Sequence, residues 1–334
     1  MWRTIGHEWV AAQLSVGAAS GVFSRANLFT GPPQIGKLHL AREYAAALNC
    51  IGDGTPPCGV CTHCTRIMAT AHPDVSEFLP EDGHIKIGQI RAMQHQIALR
   101  PYEARWRVAI IGDLHTATEE AENALLKTLE EPPARSVIML TARDAGLLQA
   151  TVVSRCRVLG LQPVPSATVS KALAERGLAD PDVAEEISRL SGGRVGWALQ
   201  AAQDPALLQD RSDMATTLLN LLEQGHAARL SAAENISRSG DPAVMLAEWQ
   251  SIWRDVMLIS AGCDELVANR RLSERLHRLS DAVGLGGAQR ALADLRDIAV
   301  QLDQNVNPRL ALQAMLIGWC TMGFQAPERL ENRG

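Results

Sequence analysis

Residues 27–38 read Asn-Leu-Phe-Thr-Gly-Pro-Pro-Gln-Ile-Gly-Lys-Leu: a short apolar run, a loop bracketed by Gly31 and Gly36, then Lys37 opening a helical stretch over 38–48. This is Gly-x4-Gly-Lys in the strand, loop, helix order that a phosphate-binding loop requires. The glycines let backbone N–H groups converge on phosphate oxygens, the helix N-terminus adds partial positive charge, and Lys37 is spaced to reach the terminal phosphates. A strand feeding a helix in this way predicts that the first half of the chain is a parallel α/β sheet. The residue after Lys37 is Leu38, where a Ser or Thr hydroxyl would hold Mg²⁺. An aliphatic side chain cannot ligate a hard cation that takes oxygen donors.

Working outward, further strands are expected over 74–78, 107–111, 136–140 and 157–161, each separated by enough chain for a crossover helix. A helix is expected over 116–129, started by a capping box of Thr116 and Glu119 and stopped by Pro132-Pro133. Pro163 and Pro165 break the alternation, and beyond them the strand signals vanish. The chain therefore divides into an α/β domain over 1–161, a small helical lid over 162–204 and an all-α domain over 205–334. Within the last, Trp249 and Trp253 lie one helical turn apart and are expected to pack in the core. Arg270, Arg271 and Arg275 are expected on a solvated face.

Four of the seven cysteines fall between Cys50 and Cys64, in the pattern Cys50-x7-Cys58-x2-Cys61-x2-Cys64, while Cys156, Cys263 and Cys320 are scattered. Glycines and prolines between them supply turns, and four soft ligands so close together predict a closed structural Zn²⁺ site. His39, His63 and His72 lie near enough for one to substitute, although the four thiols suffice. Apolar residues make up 46% of the 334 and charged residues 21%, a globular balance. The net charge of -5 and the modest aromatic content, seven Trp, two Tyr and four Phe, argue against a dedicated single-strand nucleic-acid binder. Glu8 interrupts any leader-like apolar run and no stretch is long enough to span a bilayer, so a cytoplasmic protein without membrane contact is expected.

Three further blocks follow the loop in order: Arg107-Val-Ala-Ile-Ile-Gly112-Asp113-Leu-His115, the run Leu-Leu-Lys-Thr-Leu-Glu-Glu-Pro-Pro over 125–133, and Ser154-Arg155-Cys156. In this order they resemble the AAA+ clamp-loader family of bacterial DNA polymerase III. Aligned on His115, the family's metal-organising Asp falls at Gly112 and its water-polarising Glu at Asp113. In Ser191-Gly-Gly-Arg194-Val-Gly196-Trp197-Ala-Leu199, the family's second sensor Arg falls at Gly196, with Arg194 two residues early. The resemblance implies an AAA+ domain with a four-cysteine zinc module, a lid and a helical collar. It also implies a stator without ATPase activity of its own, a component of the polymerase holoenzyme in DNA replication. Arg155 would be an arginine finger acting in trans on ATP held by a neighbouring subunit, while Gly31, Gly36 and Lys37 form a degenerate loop. The partners implied are gamma/tau-type motor subunits and a delta subunit, with the sliding clamp and primed DNA reached through the complex. Two other readings stand beside it: a motor subunit hydrolysing its own ATP, which requires that Leu38, Gly112 and Gly196 be tolerated, and a zinc DNA-binding module fused to a helical scaffold.

Overall fold

A computed structural model describes residues 2–239, 242–303 and 306–319; Cys320 and the rest of the segment to 334 lie outside the described residues. Contacts divide the chain into two compact units, Met1–Leu199 and Gln200–Gly334.

In the first unit the order is α1 (Glu8–Ser20), β1 (Ala26–Thr30), α2 (Lys37–Leu48), α3 (Thr62–Met68), β2 (Val75–Phe78), α4 (Ile87–Ala98), β3 (Arg107–Ile111), α5 (Glu119–Glu130), β4 (Ser136–Ala142), α6 (Ala150–Val153) and β5 (Arg157–Gly160). The helices α7 (Ser166–Glu175), α8 (Pro181–Ser191) and α9 (Val195–Gln203) follow. The five strands form one parallel sheet in the order β2-β3-β4-β1-β5. All five expected strands form. β1 and β4 are buried at every residue, as their near-continuous apolar runs require of inner strands covered on both faces. Alternate residues Leu28, Ile111, Ile138 and Leu140 pack one sheet face against Ile90, Met93 and Ile97 of α4 and Leu125 and Leu129 of α5.

One helix start differs from expectation. Residues Leu114–Thr116 form a single 3₁₀ turn, and α5 begins at Glu119 with Thr118, not Thr116, as its cap: the Thr118 hydroxyl accepts the Ala121 N–H. Thr116 instead donates its hydroxyl to the Asp113 carbonyl, so it closes the preceding turn. Both threonines satisfy the local cap chemistry, and the bridge of Ile85 to Ala117 fixes which one is used.

The second unit is helical: α10 (Ala206–Leu222), α11 (His226–Ser239), α12 (Pro242–Ser260), α13 (Ser273–Asp303) and α14 (Pro308–Gly318). Trp249 and Trp253, fully buried as expected, pack their rings against Trp319, tilted and edge-on, with centroids 6.1 and 5.3 Å apart. Arg229, also buried, donates to the carbonyls of Leu221, Leu222 and Gln224, so a cation satisfies the C-terminal end of α10. Arg275 is more constrained than a solvated face implies: its guanidinium bridges Asn220 of α10 and Glu223, which caps that helix, at 2.9 Å each.

Candidate functional site

The phosphate-type loop closes as its glycines predict. Gly31 sits at φ 145° and Gly36 at φ 107°, and Gly36 caps the start of α2. Beside the loop lies a cleft of about 310 Å³ lined by Lys37, Leu38, His39, Gly112, Asp113, Arg143 and Gly196. Lys37 is buried, and its ammonium donates to the carbonyls of Gly31 (2.7 Å) and Pro32 (2.8 Å). Burial pushes its pKa down, Asp113 opposes that, and nearby Arg143 adds to it. The group that would meet a terminal phosphate is thus spent on its own loop. Two further loop carbonyls are occupied from outside: Gly196 N–H donates to Gln34 O at 2.7 Å, and His7 Nε2 lies 3.3 Å from Ile35 O.

Oxygen ligands for a divalent cation are sparse here. Leu38 and Gly112 both line the cleft, and a Cβ on Gly112 would fall 2.5 Å from Leu79 Cδ2. A carboxylate at that position needs Leu79 to turn aside. Asp113 is exposed at φ 46°, with its backbone N–H held by Thr141 Oγ1 at 2.9 Å. Gly196 leaves no room for a side chain, since a Cβ there would meet Gln34 O at 2.8 Å. Arg194 does not replace it: its Nε donates to Ser191 O at 2.9 Å and its guanidinium lies over the Trp197 ring at 6.0 Å.

Arg155 lies just beyond α6, exposed on the surface. The segment that carries it is rooted by Leu148 and Val152 in the sheet core. Its Nη1 donates to Thr151 O at 3.0 Å, and Nε and Nη2 each lie 3.4 Å from Glu130 Oε2. Cys156 packs behind it, and burial pushes its thiol up to about 12, which makes it inert.

The structure brings Cys50, Cys58, Cys61 and Cys64 together with all four sulfurs within 4.8 Å of one another. Cys58 Sγ and Cys64 Sγ are 3.9 Å apart, against about 3.8 Å for two thiolates on a tetrahedral ion with Zn–S near 2.3 Å. Backbone N–H groups point at the sulfurs: Cys58 N at Cys50 Sγ (3.4 Å), Cys61 N at Cys58 Sγ (3.2 Å) and Cys64 N at Cys61 Sγ (3.5 Å). These donors favour the thiolate, and the amides facing Cys58 bring its pKa down to about 6. The donor set suits a closed, thiophilic site. The histidines stay out of it. His72 Nδ1 accepts the Asp74 N–H, and its Nε2 lies 2.7 Å from His63 Nδ1, so the two rings pair with each other, beside Glu103, and not with the thiols. His39 lies beside Glu43 instead, 3.7 Å away.

Two sequence families match the chain. The family described as DNA polymerase III, delta subunit, matches residues 6–165. The family described as DNA polymerase III, delta subunit, C terminal, matches residues 205–321. The chain belongs to the clamp-loader subunits of DNA polymerase III. Its fold is a five-stranded parallel sheet with flanking helices, followed by a helical region. Among clamp-loader relatives, subunit delta' of Bacillus subtilis is 31% identical over 206 residues, covering 61% of this chain and 62% of its own length. Subunit tau of Salmonella typhimurium is 30% identical over 240 residues, 69% of this chain and 37% of its own. Subunit gamma/tau of Mycobacterium tuberculosis is 28% identical over 335 residues, 96% of this chain and 55% of its own. The chain thus spans between about a third and three fifths of the length of these relatives. A solved structure, a gamma subunit-related protein of DNA polymerase III from Thermotoga maritima, is similar at 20% identity with a TM-score of 0.45, covering 93% of this chain and 99% of that one.

Among the described residues, no helix is long and apolar enough to cross a membrane. Three features of the site were not readable from the sequence: the folding back of Lys37, the place of Arg143 on the cleft, and the carboxylate at Arg155. The last two depend on residues brought together from distant parts of the chain, and the first on a side-chain conformation within the loop that spacing does not fix.

Proposed function

We propose that the chain is the delta-prime, or stator, subunit of a DNA polymerase III clamp loader. It lends Arg155 in trans to ATP held by a neighbouring gamma/tau-type subunit, so that the complex, with a delta subunit, loads the sliding clamp on primed DNA. The observation that carries this reading is the contrast between the two sites. The chain's own cleft has Leu38 and Gly112 where oxygen ligands belong and a lysine turned onto its loop, whereas an arginine stands exposed on the Ser154-Arg155-Cys156 segment. A rigid guanidinium inserted beside a transferring phosphoryl group stabilises the charge that develops there. In this reading residues 1–161 form the AAA+ domain, 162–204 the lid and 205–334 the collar. Cys50, Cys58, Cys61 and Cys64 hold one structural Zn²⁺ that fixes the loop between α2 and α3.

The Arg155→Ala variant tests the finger. It should leave the thermal midpoint unchanged and slow hydrolysis at the one site it serves by on the order of 10³-fold. Unaltered turnover by the reconstituted complex would refute the role. For zinc, metal analysis of protein purified without chelator should give one ion per chain, and removing it at neutral pH should lower the melting temperature; metal-free protein of equal stability would end that assignment. A second reading is favoured by the tau and gamma/tau relatives and by the intact Gly31-x4-Gly36-Lys37 spacing: a motor subunit. Magnesium-dependent ATP turnover by the isolated chain would select it.

A further inference from the structure

We propose that Glu130 is a positioning residue for Arg155, holding the guanidinium in the attitude in which it meets a neighbour's nucleotide; this rests on the finger reading above. The segment over 149–155 is too short to hold an arginine by itself, because α6 is a single turn of four residues. It is fastened to α5 at both ends by carboxylates. At the start, the buried Glu122 accepts the Gln149 N–H at 3.0 Å through Oε2. At the finish, Glu130 Oε2 lies 3.4 Å from both Nε and Nη2 of Arg155. Between these points Val152 anchors the turn in the core and Thr151 O takes one Nη1 proton.

The guanidinium is therefore gripped along one edge, through Nε and Nη2, and at Nη1, which also lies 3.4 Å from Ser154 Oγ, so that one Nη2 proton lies outside these contacts. Without Glu130, a side chain of four rotatable bonds would sample many directions, and a charge aimed in advance at a transition state is worth more than one that must be ordered during the reaction. Glu130 is itself 62% exposed, at the C-terminal end of α5. Its carboxylate acts through Arg155 and does not reach the reacting atoms. An exposed pair of this kind contributes at most about 1 kcal/mol, which as a rate is about a fivefold effect.

The test uses the clamp-loader complex reconstituted with Glu130→Gln, Arg155→Ala and the double variant. ATP turnover is measured across ATP concentrations, and the melting temperature of each chain serves as the folding control. The proposal expects Glu130→Gln to lower kcat at the site that Arg155 serves about two- to fivefold, with KM for ATP there unchanged. It also expects the double variant to be no slower than Arg155→Ala alone. A Glu130→Gln complex with wild-type kcat overturns the positioning role while the finger stands, provided Arg155→Ala is slow. A further loss of the same size in the Arg155→Ala background overturns it too, because Glu130 would then act elsewhere. If Arg155→Ala itself turns over normally, the finger reading fails, and the positioning role with it.

Discussion

Asp74 is a carboxylate with no exposure at all, and it survives there because its lone pairs are filled. Tyr102 N–H donates to Oδ1 at 2.7 Å, Glu103 and Ala104 N–H donate to Oδ2 at 2.9 Å, and Arg107 lies 3.2 Å away. Burial alone would raise its pKa, but the three amides and the guanidinium outweigh it and hold the group below the ordinary carboxylate range. A depressed folded-state pKa stabilises above the unfolded value, and the increment is lost as pH falls through the folded one. Asp74→Asn should therefore cost about 2–3 kcal/mol in urea unfolding at pH 7. The difference from wild type should begin to narrow near pH 4, where the unfolded chain's carboxyl takes up its proton, and should vanish only once pH falls through the lower native value; a gap that stays constant with pH would show that charge is not the cause. The contrast with the cysteines explains what a sequence can reveal. Cys58, Cys61 and Cys64 are legible because one short segment supplies the whole pattern. The amides around Asp74 come from a loop about thirty residues away, and nothing in the residues beside it points there.

At the scale of elements, strands proved readable wherever burial on both faces forces a continuous apolar run, as in β1 and β4. Helix ends were less so: two threonines two residues apart both suit the start of α5, and tertiary pairing of the turn chooses Thr118. In α13 the boundary was legible: the helical periodicity begins at Gly286, and within Ser273–Asp303 a break separates that helix from the one before it, with Gly284 at φ 62° and ψ -179°. That region is essentially closed to residues with a Cβ. Open space surrounds Gly284, so the cost of Gly284→Ala is backbone strain alone, about 1–3 kcal/mol. Gly286, two residues on, also has open space around it but keeps helical geometry. Gly286→Ala should accordingly stabilise by about 0.5–1 kcal/mol. Chemical denaturation of the two variants checks the pair, and shifts of the same sign would contradict the kink.

For the molecule as a whole, the decisive quantity is charge. With 32 basic and 37 acidic residues the chain carries -5, and its field repels a polyanion at long range. Phosphate neutralisation supplies essentially all of non-specific DNA affinity, so a chain of this charge lacks the main source of it. The first turn of α5 adds to the deficit, with Glu119, Glu120 and Glu122 at a helix N-terminus that would otherwise attract phosphate. In the stator reading proposed above, DNA is held chiefly by the other subunits, and this chain contributes placement among them. Fluorescence anisotropy of a labelled primed duplex at physiological salt should show no saturable binding by the isolated chain tighter than about 10⁻⁵ M. The reconstituted complex should bind the same duplex, with an affinity that falls steeply as salt rises. Micromolar binding by the isolated chain, with a steep salt slope of its own, would instead make the four-cysteine segment a nucleic-acid module and remove the need for partners.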